Sequence, residues 1–429
     1  MKVPILILFF WLQGGVGSLA HAQIIPEELL SNPDAHELPD SAQGHLFGSW
    51  GGVRTNLLKR GVKLDLHSIS DFLWNIESAQ KERTASWNRV RGTVDIDFGK
   101  LVHIQGLSLH VTGVWQAGGN LGAYLGLIAN PSSLVSKNAF RLDSWWFEKH
   151  WLGDRLATRV GQFAGQDSYG QQNFGKSFVS QPLGANPDNL SETFESYDPA
   201  ATPAFEVRAV PFHDFYVKSM VLSEDRRPFV DNPTGLAPQF HGTPVSVSEI
   251  GFTPGKNALS AAPADNAASR KGYSGLYQFG AAYDPGKFVT PVSTSPRSGN
   301  YLLYWIASQA VWRVDPQEAK GIDATFAYDW SPPAINVHNQ TFSAGLRYNE
   351  PLPLKFHNTM ELGYVQTSVS PEFQVAGSAA LKTERAFELN SLLHVFRVMY
   401  VQPTIEYYAN AGGTRRRDVI FGFRTKVDF

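Results

Sequence analysis

The chain has 429 residues, no cysteine, 13% aromatic and 18% charged residues, and a formal net charge of −2. Without cysteine neither a disulfide framework nor a thiolate metal site is available, and the near-neutral balance makes no case for nucleic acid as a partner. Phe, Tyr and Trp number 28, 15 and 11, which suits a wall that needs aromatic girdles and hides much of its polarity inside.

Residues 1–22 read as a secretory signal peptide, with Lys2 as the positive end, Ile5–Leu12 as a short apolar core and Ala20-His21-Ala22 as the cleavage pattern. That run is too short to span a bilayer, and no later stretch approaches the roughly 20 apolar residues a transmembrane helix needs. The expectation is an exported chain with no helical anchor. Residues 23–60 form an N-terminal extension: 23–47 is polar and turn-rich, and Val53 and Leu57, one turn apart, promise a short helix. Trp50-Gly51-Gly52 reads as a tight turn that seats this segment, or as a lining of the channel mouth.

From Gly61 to Phe429 the period is two. Val62, Leu64, Leu66, Phe72 and Trp74 alternate with Lys63, Asp65, His67, Asp71 and Asn75, although Ile69 and Leu73 break the pattern. Val90, Val94, Ile96 and Phe98 alternate with Arg89, Arg91, Thr93, Asp95 and Asp97; Leu107, Leu109, Val111 and Trp115 alternate with Ser108, His110, Thr112 and Gln116. These are two-sided strands joined by turns. The signal returns at 204–210, 214–221, 275–283, 300–313, 321–330, 340–348, 357–368, 384–393 and 398–408. Two tracts without it, 164–203 and 223–273, read as long loops on the extracellular side of a barrel, some able to fold inward and narrow a pore. With about ten residues per strand, sixteen strands leave roughly 14 per connection; eight leave very long loops and twenty-two leave almost none. Periodicity thus favours a mid-sized barrel.

The last strand is the clearest. Val419, Phe421, Phe423, Val427 and Phe429 share one parity, and Gly422, Arg424, Lys426 and Asp428 share the other. One face is apolar and the other charged, as expected where a closed antiparallel transmembrane β-barrel turns one face to lipid and one to a water-filled lumen. A Gly422→Arg side chain would then enter the lumen and be tolerated if room exists. The Phe429-terminated strand is also the expected contact for the barrel assembly machinery.

Gly48-Ser49-Trp50-Gly51-Gly52-Val53-Arg54-Thr55, followed by Leu57 and Gly61, resembles the opening signature of the carbohydrate-selective (OprB-type) porin family. Arg141-Leu142-Asp143-Ser144-Trp145-Trp146-Phe147-Glu148, then Arg159-Val160-Gly161-Gln162, is similar to its next landmark. Glu388-Leu389, Gln402-Pro403, Glu406-Tyr407, Asn410-Ala411-Gly412-Gly413 and the closing strand match in order and spacing. The resemblance implies a sixteen-stranded all-β barrel in the outer membrane of a Gram-negative bacterium that admits small sugars such as glucose. Porins of this kind are often homotrimers, but a wall-to-wall interface has the same sequence pattern as a lipid-facing one, so the sequence does not give the oligomer.

A neutral, hydroxyl-rich substrate needs charged or amide groups for hydrogen bonds and flat aromatics for its apolar ring faces. The inward parity offers Arg89, Arg91, Asp95, Asp97, Glu206, Arg208, Glu388 and Arg424, and the motif match adds Arg159. The alternative role for each is a salt-bridge ladder along a polar wall. Of Trp145 and Trp146, one belongs to a girdle and the other can stack sugar; periodicity does not say which. Arg415-Arg416-Arg417 is a basic cluster suited either to anionic lipopolysaccharide headgroups or to a solvated loop.

Enzymatic readings fare poorly. Asp95 and Asp97 share a strand face without the flanking arrangement of a glycosidase pair. The 12 histidines show no His-x-x-x-His ligand spacing, and no nucleophile elbow or phosphate-binding loop is present. No cofactor, metal or catalytic residue is assigned. The expected function is passive, selective diffusion of small carbohydrates. A general or ion-selective porin on the same fold is the first alternative, and a secreted all-β sugar-active enzyme or binding module the second.

Overall fold

Inside a bilayer every backbone N–H and C=O must be paired within the protein, so two-faced strands without a helical span are stable there only as a closed barrel. The computed structural model describes residues 45–78, 82–172, 177–184, 199–223, 225, 227–240, 242–254, 273–290, 293–315, 320–354, 356–376, 383–396 and 398–429. The signal peptide expected at 1–22 and the extension up to residue 44 lie outside them.

Sixteen strands form one closed sheet in chain order. They are β1 (Val62–Ser78), β2 (Thr84–Asp97), β3 (Leu107–Gly118), β4 (Ala139–Trp151), β5 (Leu156–Phe163), β6 (Thr202–Phe212), β7 (Phe215–Ser223) and β8 (Pro244–Phe252). The second half comprises β9 (Gly275–Thr290), β10 (Ser293–Arg313), β11 (Gly321–Trp330), β12 (His338–Asn349), β13 (Asn358–Val369), β14 (Glu384–Phe396), β15 (Met399–Ala411) and β16 (Arg416–Asp428). Every neighbouring pair is antiparallel, and β16 closes on β1 with His67 opposite Asp428, Phe72 opposite Phe423 and Trp74 opposite Phe421. Closure leaves no unpaired edge.

The faces of β16 are as the alternation requires. Arg424, Lys426 and Asp428 are buried inside the barrel, whereas Phe421 is exposed outside. An outward aromatic band runs from β10 to β15 through Trp305, Phe326, Phe342, Tyr364, Phe387 and Tyr407, with neighbouring ring centroids 4.9–6.3 Å apart. Such a girdle marks the height at which a barrel meets a membrane. The room that a Gly422 side chain would require is absent: a Cβ there would lie 2.3 Å from the Phe72 carbonyl oxygen and 2.4 Å from Leu73 Cδ2.

Residues 45–61 pack over the closing seam. Helix α1 (Val53–Lys59) presents Arg54, which donates to the Phe429 carbonyl at 2.8 Å, and Phe47 stacks on Phe429 at 5.6 Å. Trp50, Gly51 and Gly52 all have positive φ (52°, 65° and 93°), so this stretch is a turn, with Arg54 lying 4.7 Å over the Trp50 ring.

The tract 223–273 is not a single loop. It contains β8, whose alternation runs in the opposite sense to the usual one: Val245 and Val247 point inward and are fully buried, while Ser246 and Ser248 face out. Its second connection, 253–274, leads to β9 at the same end of the barrel as Phe429, not at the end where the long loops were expected.

Candidate functional site

The breaks in alternation explain what fills the barrel. Ile69 and Leu73 in β1, Met220 and Leu222 in β7, Val365 in β13 and Ile420 in β16 are apolar yet point inward and are buried. Each belongs to an apolar cluster formed against one of two connecting segments that fold into the lumen. Burying such side chains contributes roughly 1.5–3 kcal/mol each, so these patches are docking surfaces.

The first segment follows β5. Its stretch 164–172 is fastened to β6–β8: Ser168 donates its hydroxyl to Glu206 at 2.6 Å, and the Gly170 N–H donates to Glu249 at 2.9 Å. Glu249 also accepts the Tyr216 and Tyr304 hydroxyls at 2.7 and 2.6 Å. Burial, and then the Glu206 and Glu249 carboxylates, raise the Tyr169 phenol well above its ordinary range, so it stays protonated. The stretch 177–184, which ends in helix α4 (Gln181–Gly184), is fastened to the opposite wall. The Val179 and Ser180 N–H groups donate to Glu388 at 2.8 and 3.0 Å, and Ser177 donates to Glu361. Phe178 is fully buried against Gly345 and Gly363, where a Cβ would come within 2.9 and 2.8 Å of its ring. The segment therefore crosses the lumen from β6–β8 to β12–β16.

The second segment joins β3 to β4 and carries helix α3 (Leu121–Leu125), capped by Asn120. Glu384 accepts from the Ala129 N–H at 2.7 Å and the Ile128 N–H at 3.1 Å. Ser132 donates to Asp71 at 2.5 Å, and Arg89 donates to the Leu134 carbonyl at 3.0 Å. The two segments are bonded to each other through Ser133 N–H to Val179 C=O at 2.7 Å and Gln181 N–H to Asn130 C=O at 2.9 Å.

Arg424 sits where both segments meet the wall. It forms a two-pronged pair with Asp71 at 2.7 and 2.8 Å, donates to Ser133 Oγ at 3.0 Å, and reaches the Phe178 and Val179 carbonyls at 3.3 Å. Asp71 lies in the middle of β1, so this joint is set inside the barrel and not at its rim.

The nine residues singled out from sequence all lie on the inward parity but do different work. Arg89, Glu206, Glu388 and Arg424 fasten the lumen segments. Arg159 forms a ladder in register with Glu148 (3.1 Å) and Glu206 (4.0 Å). Arg91 pairs with Asp143 at 3.5 Å, and Asp95 with His110 at 2.7 Å. Arg208 is buried opposite Lys218, which bonds Glu249 at 3.1 Å. Asp97 instead caps the short helix α2 (Phe98–Val102), accepting from the Gly99 and Lys100 N–H groups. Trp145 faces out and Trp146 faces in, and the Trp146 ring already carries the His110 ring at 3.8 Å and the Arg159 guanidinium at 4.7 Å. Glu249, Glu361, Glu384 and Asp71 were not among the sequence candidates. Glu249 was hidden in the misread tract, and the inward carboxylates of the other strands were readable only as generic lumen polarity.

Inward polar side chains retain exposure on β1–β4 toward the Phe429 end: Asp65 27%, Asp95 16%, His150 12% and His110 10%. There the lumen is open to water and lined with hydrogen-bonding groups of both kinds.

The sequence profile of the family described as carbohydrate-selective porin, OprB family, matches residues 81–429. No curated protein sequence matches the chain. The high-pH structure of Pseudomonas putida OprB is similar with TM-score 0.82 at 15% identity, covering 92% of this chain and 100% of that one. The low-pH structure of the same protein gives TM-score 0.58 at 14% identity, covering 91% and 99%. Salmonella typhi OmpF in complex with daunomycin gives TM-score 0.52 at 9% identity, covering 87% and 99%.

Proposed function

The chain belongs to the OprB family of carbohydrate-selective porins, and on that premise we propose that it passes small sugars, monosaccharides such as glucose among them, across the outer membrane of a Gram-negative bacterium. The observation that carries this reading is the pair of lumen segments bonded to each other above a wet, hydrogen-bonding vestibule, which we read as the constriction. Sugar moves down its gradient; binding to hydroxyl-matching groups is weak enough to release, as conduction requires. No cofactor or catalytic group enters the mechanism. The test is ion conductance of the reconstituted protein during a glucose titration. A saturable, reversible block is expected, and an ion current indifferent to sugar would favour the general-porin alternative.

Phe429 lies at the periplasmic end in this reading, and its strand is the segment offered to the barrel assembly machinery. Homo-oligomerisation, a trimer by analogy, is supported by the outer face of β1–β3. There Ser70 donates to Asn88 at 2.9 Å, and Gly92 faces Gly113 further along the same outer face of β2, small and polar residues on an outer wall.

Of the candidate residues, Arg91 and Asp95 border the vestibule and are proposed to meet sugar. An arginine offers five fixed donors for hydroxyls. Arg91→Gln is expected to weaken sugar block by about 1–3 kcal/mol, the range for charged hydrogen bonds, and to lower the melting temperature as well, because it removes the ion pair to the buried Asp143. Arg159→Gln is expected to lower the melting temperature with sugar block unchanged, because it takes the ladder partner from the buried Glu148 and Glu206. If both variants change only stability, Arg91 belongs to the wall and not to the sugar path.

A further inference from the structure

Resting on the reading above, in which the rim opposite Phe429 faces the outer leaflet, we infer that Arg385 and Arg417 form a site on the outside of the barrel for the phosphates of a lipid headgroup. The basic run 415–417 does not act as one cluster. Arg416 turns inward, where its Nε bonds Asp418 at 3.0 Å and its guanidinium donates to the Leu125 carbonyl. Arg417 has the outward parity of Val419 and Phe421 and is exposed; its guanidinium makes no hydrogen bond or ion pair among the described residues.

What the sequence separates, the register brings together. Arg385 on β14 is opposite Ala409 on β15, which is opposite Arg417 on β16. The two arginines therefore stand in one outward row across a small residue, roughly 10 Å apart at the backbone given the interstrand spacing. Arg385 is exposed and spends one donor on Gln366 Oε1 at 3.3 Å. Two long guanidinium side chains at this spacing can converge on one phosphate or take one each of a bisphosphorylated headgroup, and guanidinium geometry matches phosphate oxygens bidentately.

The row beneath is apolar and aromatic. Tyr364, Phe387, Tyr407 and Val419 are successive register partners, with Phe387 4.9 Å from Tyr364 and 6.3 Å from Tyr407. Cations directly above rings that mark the membrane boundary sit at headgroup depth with acyl chains below, which commits the site to a lipid rather than to a free anion. Glu77, opposite Val419 in the lower row, forms no ion pair with either arginine among the described residues.

The test is retention of bisphosphorylated lipid A by the detergent-purified porin, read by native mass spectrometry for the parent, R415Q and R385Q/R417Q. Retention is expected for the parent and for R415Q, whose arginine lies in the turn off the row. The double variant is expected to lose about tenfold or more, and dephosphorylated lipid is expected to be retained poorly by all three. Equal retention by the double variant, equal retention of the dephosphorylated lipid, or displacement by equimolar inorganic phosphate would overturn the site. Sugar block is measured on the same proteins. Its absence in the parent would count against the channel reading, whereas its presence together with lipid-retaining R385Q/R417Q would count against this site alone.

Discussion

Arg424→Met is expected to widen the channel and destabilise the barrel together. The guanidinium holds Asp71 in a two-pronged pair and both lumen segments through Ser133, Phe178 and Val179. Removing it leaves the 1%-exposed Asp71 carboxylate buried with only part of its former partners, a change that costs about 3–5 kcal/mol when one member of a buried pair is lost. It also removes the bonds from β16 to Ser133, Phe178 and Val179, which join both segments to the closing seam. Single-channel conductance should rise, sugar block should weaken and the melting temperature should fall. Asp71→Asn combined with Arg424→Met separates the two effects. Stability should recover in part because the buried charge is gone, while conductance stays high because the Arg424 joint between the segments and the seam is still missing. Unchanged conductance in both variants would mean that Glu388, Glu361 and Glu384 suffice to hold the constriction.

Phe421→Arg and Phe423→Arg are expected to prevent assembly into a membrane. Both rings point out of the barrel, Phe421 edge-on to Trp74 at 4.7 Å and Phe423 stacked on Phe72 at 5.0 Å across the closing seam. A cation on that face costs about 2–4 kcal/mol near the midplane and less near the interface, and the seam loses two aromatic contacts. Gly422 between them faces inward, and there the structure reverses the expectation from parity alone. With the Phe72 carbonyl oxygen and Leu73 Cδ2 within 2.4 Å of a Cβ, even Gly422→Ala must displace backbone, and overpacking of this kind costs about 1–3 kcal/mol or more. Folding into liposomes, followed by the shift in gel mobility between unheated and boiled samples, measures all of these. Normal folding of Gly422→Arg would show that β16 and β1 are spaced more widely than the register indicates.

Much of the barrel was legible because facing is a local property. In a strand, parity alone sends Arg424 one way and Phe423 the other, so the two faces of β1, β2, β3 and β16 could be read residue by residue. The same rule misfired at β8, where Val245 and Val247 line the lumen and the outward Ser246 and Ser248 make the strand look like a loop. The inversion has a tertiary cause, since those valines belong to the cluster that buries Phe163 and Tyr169. Ile69 and Leu73 looked like faults in the pattern for a similar reason: they are seats for the inward segments, a role that exists only once the segments arrive.

The sequence by itself determined the class of the protein, the alternation of its wall and the inward parity of the nine charged residues singled out, because each depends on residues two apart. Only the tertiary structure decided which of those charges face water and which hold the chain. Arg424 and Asp71 are 353 residues apart, Glu388 and Val179 209, and Ser177 and Glu361 184. Periodicity says that such groups share a lumen. It carries no information about which of them meet, because partner choice depends on barrel closure and on the path of two connecting segments, both set by packing between distant parts of the chain.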